Sequence, residues 1–148
     1  KTQSPEAFSK FFFAGELKSF FWGIVTTAAI RSSTITTSLV VPIVAKKIVK
    51  MRMAAPFIMG ANMGTTVTAF LAAMLNSNNS AINIAIAHFL FNFIGVLLFF
   101  PIPALKELPI RLSVGLGKLT LRYRIAGFLF ILLTFFIIPF SLIYLYQE

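Results

Sequence analysis

The chain has no cysteine, four acidic residues and one histidine among its 148 residues. Without cysteine there is no disulfide, no thiolate metal site and no cysteine nucleophile, and the redox compartment stays open. The acidic residues are Glu6, Glu16, Glu107 and Glu148, all outside the apolar runs. No carboxylate therefore stands at bilayer depth to carry a proton; His88 is the one titratable candidate there besides Arg31. There is no acid–base pair, no nucleophile beside a histidine and no cluster of transition-metal ligands, so no enzyme and no cofactor are expected. Charged residues make up 11% and hydrophobic residues 58%, where a soluble domain is about 25% charged. The apolar surplus, with 18 Phe, must face lipid.

The net charge of +9 does not make nucleic acid a partner. The basic residues fill gaps between apolar runs, as in cytoplasmic loops of membrane proteins. Lys46, Lys47, Lys50 and Arg52 form one group; Lys106, Arg111, Lys118, Arg122 and Arg124 form the other. Two spans separate the groups, so both lie on one side, the cytoplasmic side by the positive-inside rule. The turn at Asn76–Ser80 then faces outward. Asn78-Asn79-Ser80 matches a glycosylation sequon, though the loop is very short.

Residues 1–18 read as an amphipathic interfacial segment, with Phe11, Phe12 and Phe13 in the membrane interface. No signal-peptide cleavage pattern follows. The chain starts at Lys1 without methionine, and its abrupt ends are expected of a piece of a longer protein. Leu17–Ile30 and Ile35–Ala45 are each shorter than the roughly 20 residues a spanning helix needs. As one helix they would measure about 44 Å, too long without strong tilt. A re-entrant hairpin with its tip near 31–34 fits better. Residues 53–75 form a helix expected to break at Gly60–Gly64, residues 81–100 a clean span ended by Pro101 and Pro103, and residues 104–124 a basic cytoplasmic linker. Residues 125–148 form a last span, kinked at Pro139, with Tyr144 and Tyr146 in an interfacial belt.

Arg31-Ser32-Ser33-Thr34 and Gly60-Ala61-Asn62-Met63-Gly64-Thr65-Thr66-Val67-Thr68 are polar runs inside apolar segments. Polar groups at that depth are costly unless they line a cavity or bind a solute, the design of secondary transporters. With Ser33 or Thr34 as N-cap, free N–H groups and the helix dipole make the tip an anion site. The arm before it ends in free carbonyls that suit sodium. Gly60 and Gly64 let the backbone approach a ligand, Asn62 offers donor and acceptor, and Thr65, Thr66 and Thr68 add hydroxyls. The bland readings are hydroxyls bonded to their own helix, a GxxxG that only packs helices, and His88 with Asn92 as an interhelical hydrogen-bonding pair.

These residues resemble the type II sodium-dependent phosphate cotransporter family. Its two inverted repeats each carry a Gln-Ser-Ser-Ser-like motif followed by a Gly-Ala/Ser-Asn-Ile-Gly-Thr-Thr-like motif. Ala87-His88-Phe89-Leu90-Phe91-Asn92, Pro101-Ile102-Pro103, Leu108-Pro109-Ile110-Arg111, Gly115-Leu116-Gly117-Lys118 and Tyr123-Arg124 also look like that family. The resemblance runs from about Thr27 to Pro139. It implies an all-α polytopic membrane protein, an integral protein of a plasma membrane or bacterial inner membrane. The fold implied is a re-entrant helical hairpin plus a broken transmembrane helix and two further transmembrane helices, one half of an inverted-repeat transporter. The implied activity is sodium-coupled uptake of inorganic phosphate with an elevator-like movement.

Carried over, Ser32, Ser33 and Thr34 would touch phosphate or sodium, and Asn62, Thr65 and Thr66 would support the same site. With the residues' own chemistry added, the expected phosphate set is Arg31, Ser32, Ser33, Thr34, Thr65 and Thr66, and the expected sodium set is Ser32, Ser33, Asn62, Thr65 and Thr68. The expected partners are phosphate, sodium, the lipid bilayer and the missing first repeat, from the same protein or another chain; a homo-oligomer is compatible. Two departures stand out: the chain has one copy of the paired motifs, and Arg31 stands where the family has Gln. A guanidinium can grip phosphate bidentately and stand in for a sodium ion, or it can inactivate the site. Transport of another oxyanion, such as sulfate, and a non-transporting scaffold or regulatory role are the alternatives.

Overall fold

The computed structural model describes residues 5–75 and 79–146. Helices α1 (Pro5–Phe12), α2 (Glu16–Ile30), α3 (Ser33–Ala45), α4 (Met51–Leu75), α5 (Asn79–Phe99), α6 (Pro103–Arg122), α7 (Arg124–Leu132) and α8 (Ile138–Leu145) follow in order, with a π-helical turn, Leu133–Ile137, between the last two. The chain divides into two compact units, with the boundary between Glu107 and Leu108.

In the first unit, α2 stops at Arg31, whose backbone is left-handed with φ 61°. Ser32 is extended, and its hydroxyl caps α3 by accepting from the Ile35 amide at 3.3 Å. The cap is thus Ser32, not Ser33 or Thr34, which sit in the first turn of α3. Two non-helical residues suffice to reverse the chain. Phe13 ahead of α2 and Val40 in α3 share one buried cluster with Val49, Ala54 and Phe57. The Phe13 and Phe57 rings are 5.3 Å apart. Phe13 is therefore core, while Phe11 remains exposed. Phe12 is half-buried and lies against Trp22. A phenylalanine run looks equally apolar in either setting, and only the packing partner separates them.

Helix α4 runs unbroken through Gly60 and Gly64, and no described glycine has positive φ. This corrects the expected break. The glycines are there for contact. A Cβ on Gly60 would collide with the Phe20 carbonyl, and one on Gly64 would stand 2.7 Å from the Ile24 oxygen. From the other side, a Cβ on Gly23 would meet the Phe57 carbonyl and lie 2.9 Å from the Ala61 nitrogen. Phe20 thus faces Gly60 and Ile24 faces Gly64, so α2 and α4 run parallel, backbone against backbone. The helix-packing reading of GxxxG is the correct one.

Three helices are long and apolar enough to cross a membrane: Met51–Leu75, Asn79–Phe99 and Arg124–Leu145. The second unit holds the last. Where a kink at Pro139 is expected, a π turn precedes it. The proline ring would crowd the carbonyl four residues back, and the wider turn relieves it while the helix continues. The basic stretch before it is helix α6 rather than a loop. Asn76 to Asn78, with the sequon asparagine, lie outside the described residues.

Candidate functional site

The Arg31–Ser32 turn joins two helix ends of opposite polarity. The last carbonyls of α2 have no partner further along that helix, since the chain leaves helical geometry at Arg31. At the start of α3, Ser32 satisfies the Ile35 amide and its carbonyl accepts from the Thr36 amide at 3.1 Å. The Ser33 and Thr34 amides remain at the positive end of the α3 dipole. One side of the turn thus offers oxygens to a cation, the other N–H groups to an anion. The Arg31 side chain is exposed there and, among the described residues, makes no ion pair.

The hydroxyls fall into two classes. Thr36 donates to the Ser32 carbonyl at 2.9 Å and Thr37 to the Ser33 carbonyl at 2.8 Å. In α4, Thr65 donates to Ala61, Thr66 to Met63 and Thr68 to Thr65, at 3.2, 2.7 and 2.9 Å. With their protons committed to carbonyls, these oxygens can still accept, which suits a cation better than an anion. Ser33 and Thr34 make no side-chain hydrogen bond among the described residues, so their protons can serve an anion.

The predicted residues do not all converge. Carried forward two turns, the α2–α4 register sets the turn level with α4 near Thr68 and Leu71. Asn62 then lies about 13 Å lower along the helix. It is exposed on a different side of α4, where it lines a cleft of about 390 Å³ with Met59, Phe91, Asn92 and Gly95. The Asn92 amide donates to the His88 carbonyl of its own helix at 3.1 Å, and His88 is exposed. The expected interhelical pair is therefore an intrahelical side-chain–backbone bond. Thr66 is fully buried and Arg31 exposed.

Thr27 was not expected to matter. It is fully buried, and its hydroxyl finds no partner among the described residues. It stands one turn before Arg31, whose amide bonds the Thr27 carbonyl at 2.6 Å. The four-residue spacing from the polar run was a usable signal; its contact with Gly64 was not. Among the described residues no three His, Cys, Asp or Glu come together.

The family profile described as Na+/Pi-cotransporter matches residues 6–125. Sodium-dependent phosphate transport protein 2A of Ovis aries is 39% identical over 120 residues, 79% of this chain and 19% of that protein. Sodium-dependent phosphate transport protein 2B of Homo sapiens is 38% identical over 120 residues, 79% of this chain and 17% of its own length. The chain thus spans less than a fifth of these curated relatives. No solved structure matches.

Proposed function

This chain belongs to the Na+/Pi-cotransporter family, and on that premise we propose that it supplies one of two inverted repeats of a sodium-coupled symporter of inorganic phosphate. One observation carries the reading. Helices α2 and α3, 15 and 13 residues long, measure about 22 and 20 Å, short of a hydrocarbon core of about 30 Å. They meet at a two-residue polar turn and so form a re-entrant hairpin. At its tip, phosphate takes the Ser33 and Thr34 amides and hydroxyls and the Arg31 guanidinium. Sodium takes the terminal carbonyls of α2 and the hydroxyl oxygens of Ser32 and Thr68. Thr65 and Thr66 brace this site from α4, and Asn62 serves the cleft toward the missing repeat. Irregular backbone at such depth is tolerated where it lines a cavity.

The test is uptake of labelled phosphate into proteoliposomes holding the full-length protein, under an inward sodium gradient and with potassium in its place. Sodium-driven uptake that is lost in Ser33→Ala, a change that spares the Ser32 cap, supports the reading. Uptake suppressed by unlabelled sulfate as strongly as by phosphate points to another oxyanion. No uptake by inserted, folded protein moves the weight to a non-transporting role.

A further inference from the structure

We propose that helix α6 lies along the membrane surface and docks on anionic phospholipid headgroups. At 100° per residue, Arg111, Lys118 and Arg122 fall within about 40° of arc, a single basic ridge. From Leu108 to Tyr146 the chain has no acidic residue. Glu107 stands one turn before Arg111, so the net charge of the ridge rests on Lys118 and Arg122, both exposed. Leu108, Leu112, Leu116 and Leu119 form a row on one flank; Ile110, Val114 and Leu121 form a row on the other. The apolar flanks are open: Leu112 is 65%, Leu119 48% and Leu121 89% exposed.

A cationic ridge between apolar rows matches the boundary between headgroups and acyl chains, where phosphates lie above hydrocarbon. A nucleic acid would satisfy the ridge but leave the leucines in water. Two further features place the helix at that level. It follows Asn79–Phe99 and precedes Arg124–Leu145 in the chain and, unlike them, is not long and apolar enough to cross a membrane. Beside the ridge, the Arg122 guanidinium lies 5.3 Å from the centre of the Tyr123 ring. Tyr123 is 55% exposed, as tyrosines of an interfacial belt are.

The chain has no cysteine, which permits a spin label at Leu112→Cys in the full-length protein, with any cysteines elsewhere replaced. The label's collisions with oxygen and with an aqueous nickel chelate are compared in vesicles of phosphatidylcholine alone and with three parts in ten phosphatidylglycerol. The expected result is an oxygen-accessible, nickel-shielded label in the anionic vesicles. Combining Lys118→Gln with Arg122→Gln should lower the docked-to-undocked ratio about 30-fold. Three results would overturn the proposal: a label open to nickel in both vesicles, a label shielded from both reagents as in a protein groove, or shielding indifferent to phosphatidylglycerol and to the double variant.

Discussion

Gly64 sets its Cα against Thr27: a Cβ at position 64 would stand 2.9 Å from the Thr27 Cβ. That contact, with Gly60 on the Phe20 carbonyl, joins the first arm of the hairpin to α4. Gly60→Ala has no flexible side chain to displace, only backbone. It should destabilise the protein by about 3 kcal/mol, read as a lower Tm in detergent or loss of the monodisperse peak on size exclusion. Gly95→Ala, where a Cβ meets nothing within 4 Å, should hold or slightly raise Tm. Equal effects at both positions would remove the close-packing explanation.

The Thr27 hydroxyl, without a partner among the described residues, makes an opposite prediction. A buried polar group without a hydrogen bond costs about 1–3 kcal/mol. Thr27→Val keeps the shape and removes that cost, so Tm in sodium-free buffer should rise. A fall would mean that the hydroxyl is satisfied in solution.

Arg31 is a non-glycine residue in the left-handed region, which costs roughly 1–2 kcal/mol. Arg31→Gly should therefore stabilise the turn. Arg31→Gln tests the charge instead. Losing a charged hydrogen-bonding group worth about 1.5–3 kcal/mol should raise the phosphate concentration for half-maximal uptake roughly tenfold or more. It should also steepen the sodium dependence. Unchanged phosphate and sodium curves would remove Arg31 from the site.

Two ion pairs lie within the first unit, at its last two residues. Lys106 meets Glu16 at 2.5 Å with its own side chain 15% exposed; Arg52 meets Glu107 at 2.5 Å with its side chain 71% exposed. Exposed pairs contribute about 0–1 kcal/mol and are screened by salt. Arg52→Gln should thus leave Tm nearly unchanged, while Lys106→Met should lower it measurably and still do so at high salt. Melting curves at two ionic strengths decide this.

Periodicity and polar interruptions make the helices, the reversal near Arg31 and the family resemblance legible in the sequence. The function of Gly60–Gly64 is not. Glycine permits both a broken backbone and a close helix contact, and sequence spacing is the same for each. The hydroxyl-rich runs were visible as runs, but whether a threonine proton serves its own helix or a ligand depends on its rotamer. Asn62 looked like a companion of the hairpin because it follows within one motif; its rotation around α4 sends it to the α5 side.

The order of the apolar runs, the place of all four acidic residues outside them and the grouping of the basic residues between them are set by the residues alone, because lipid imposes such a pattern on any chain. The parallel seating of α2 on α4, the burial of Phe13 and the orphaned Thr27 hydroxyl were decided by tertiary structure. Each depends on which surface lies within about 4 Å, and that neighbour comes from a residue tens of positions away in the chain.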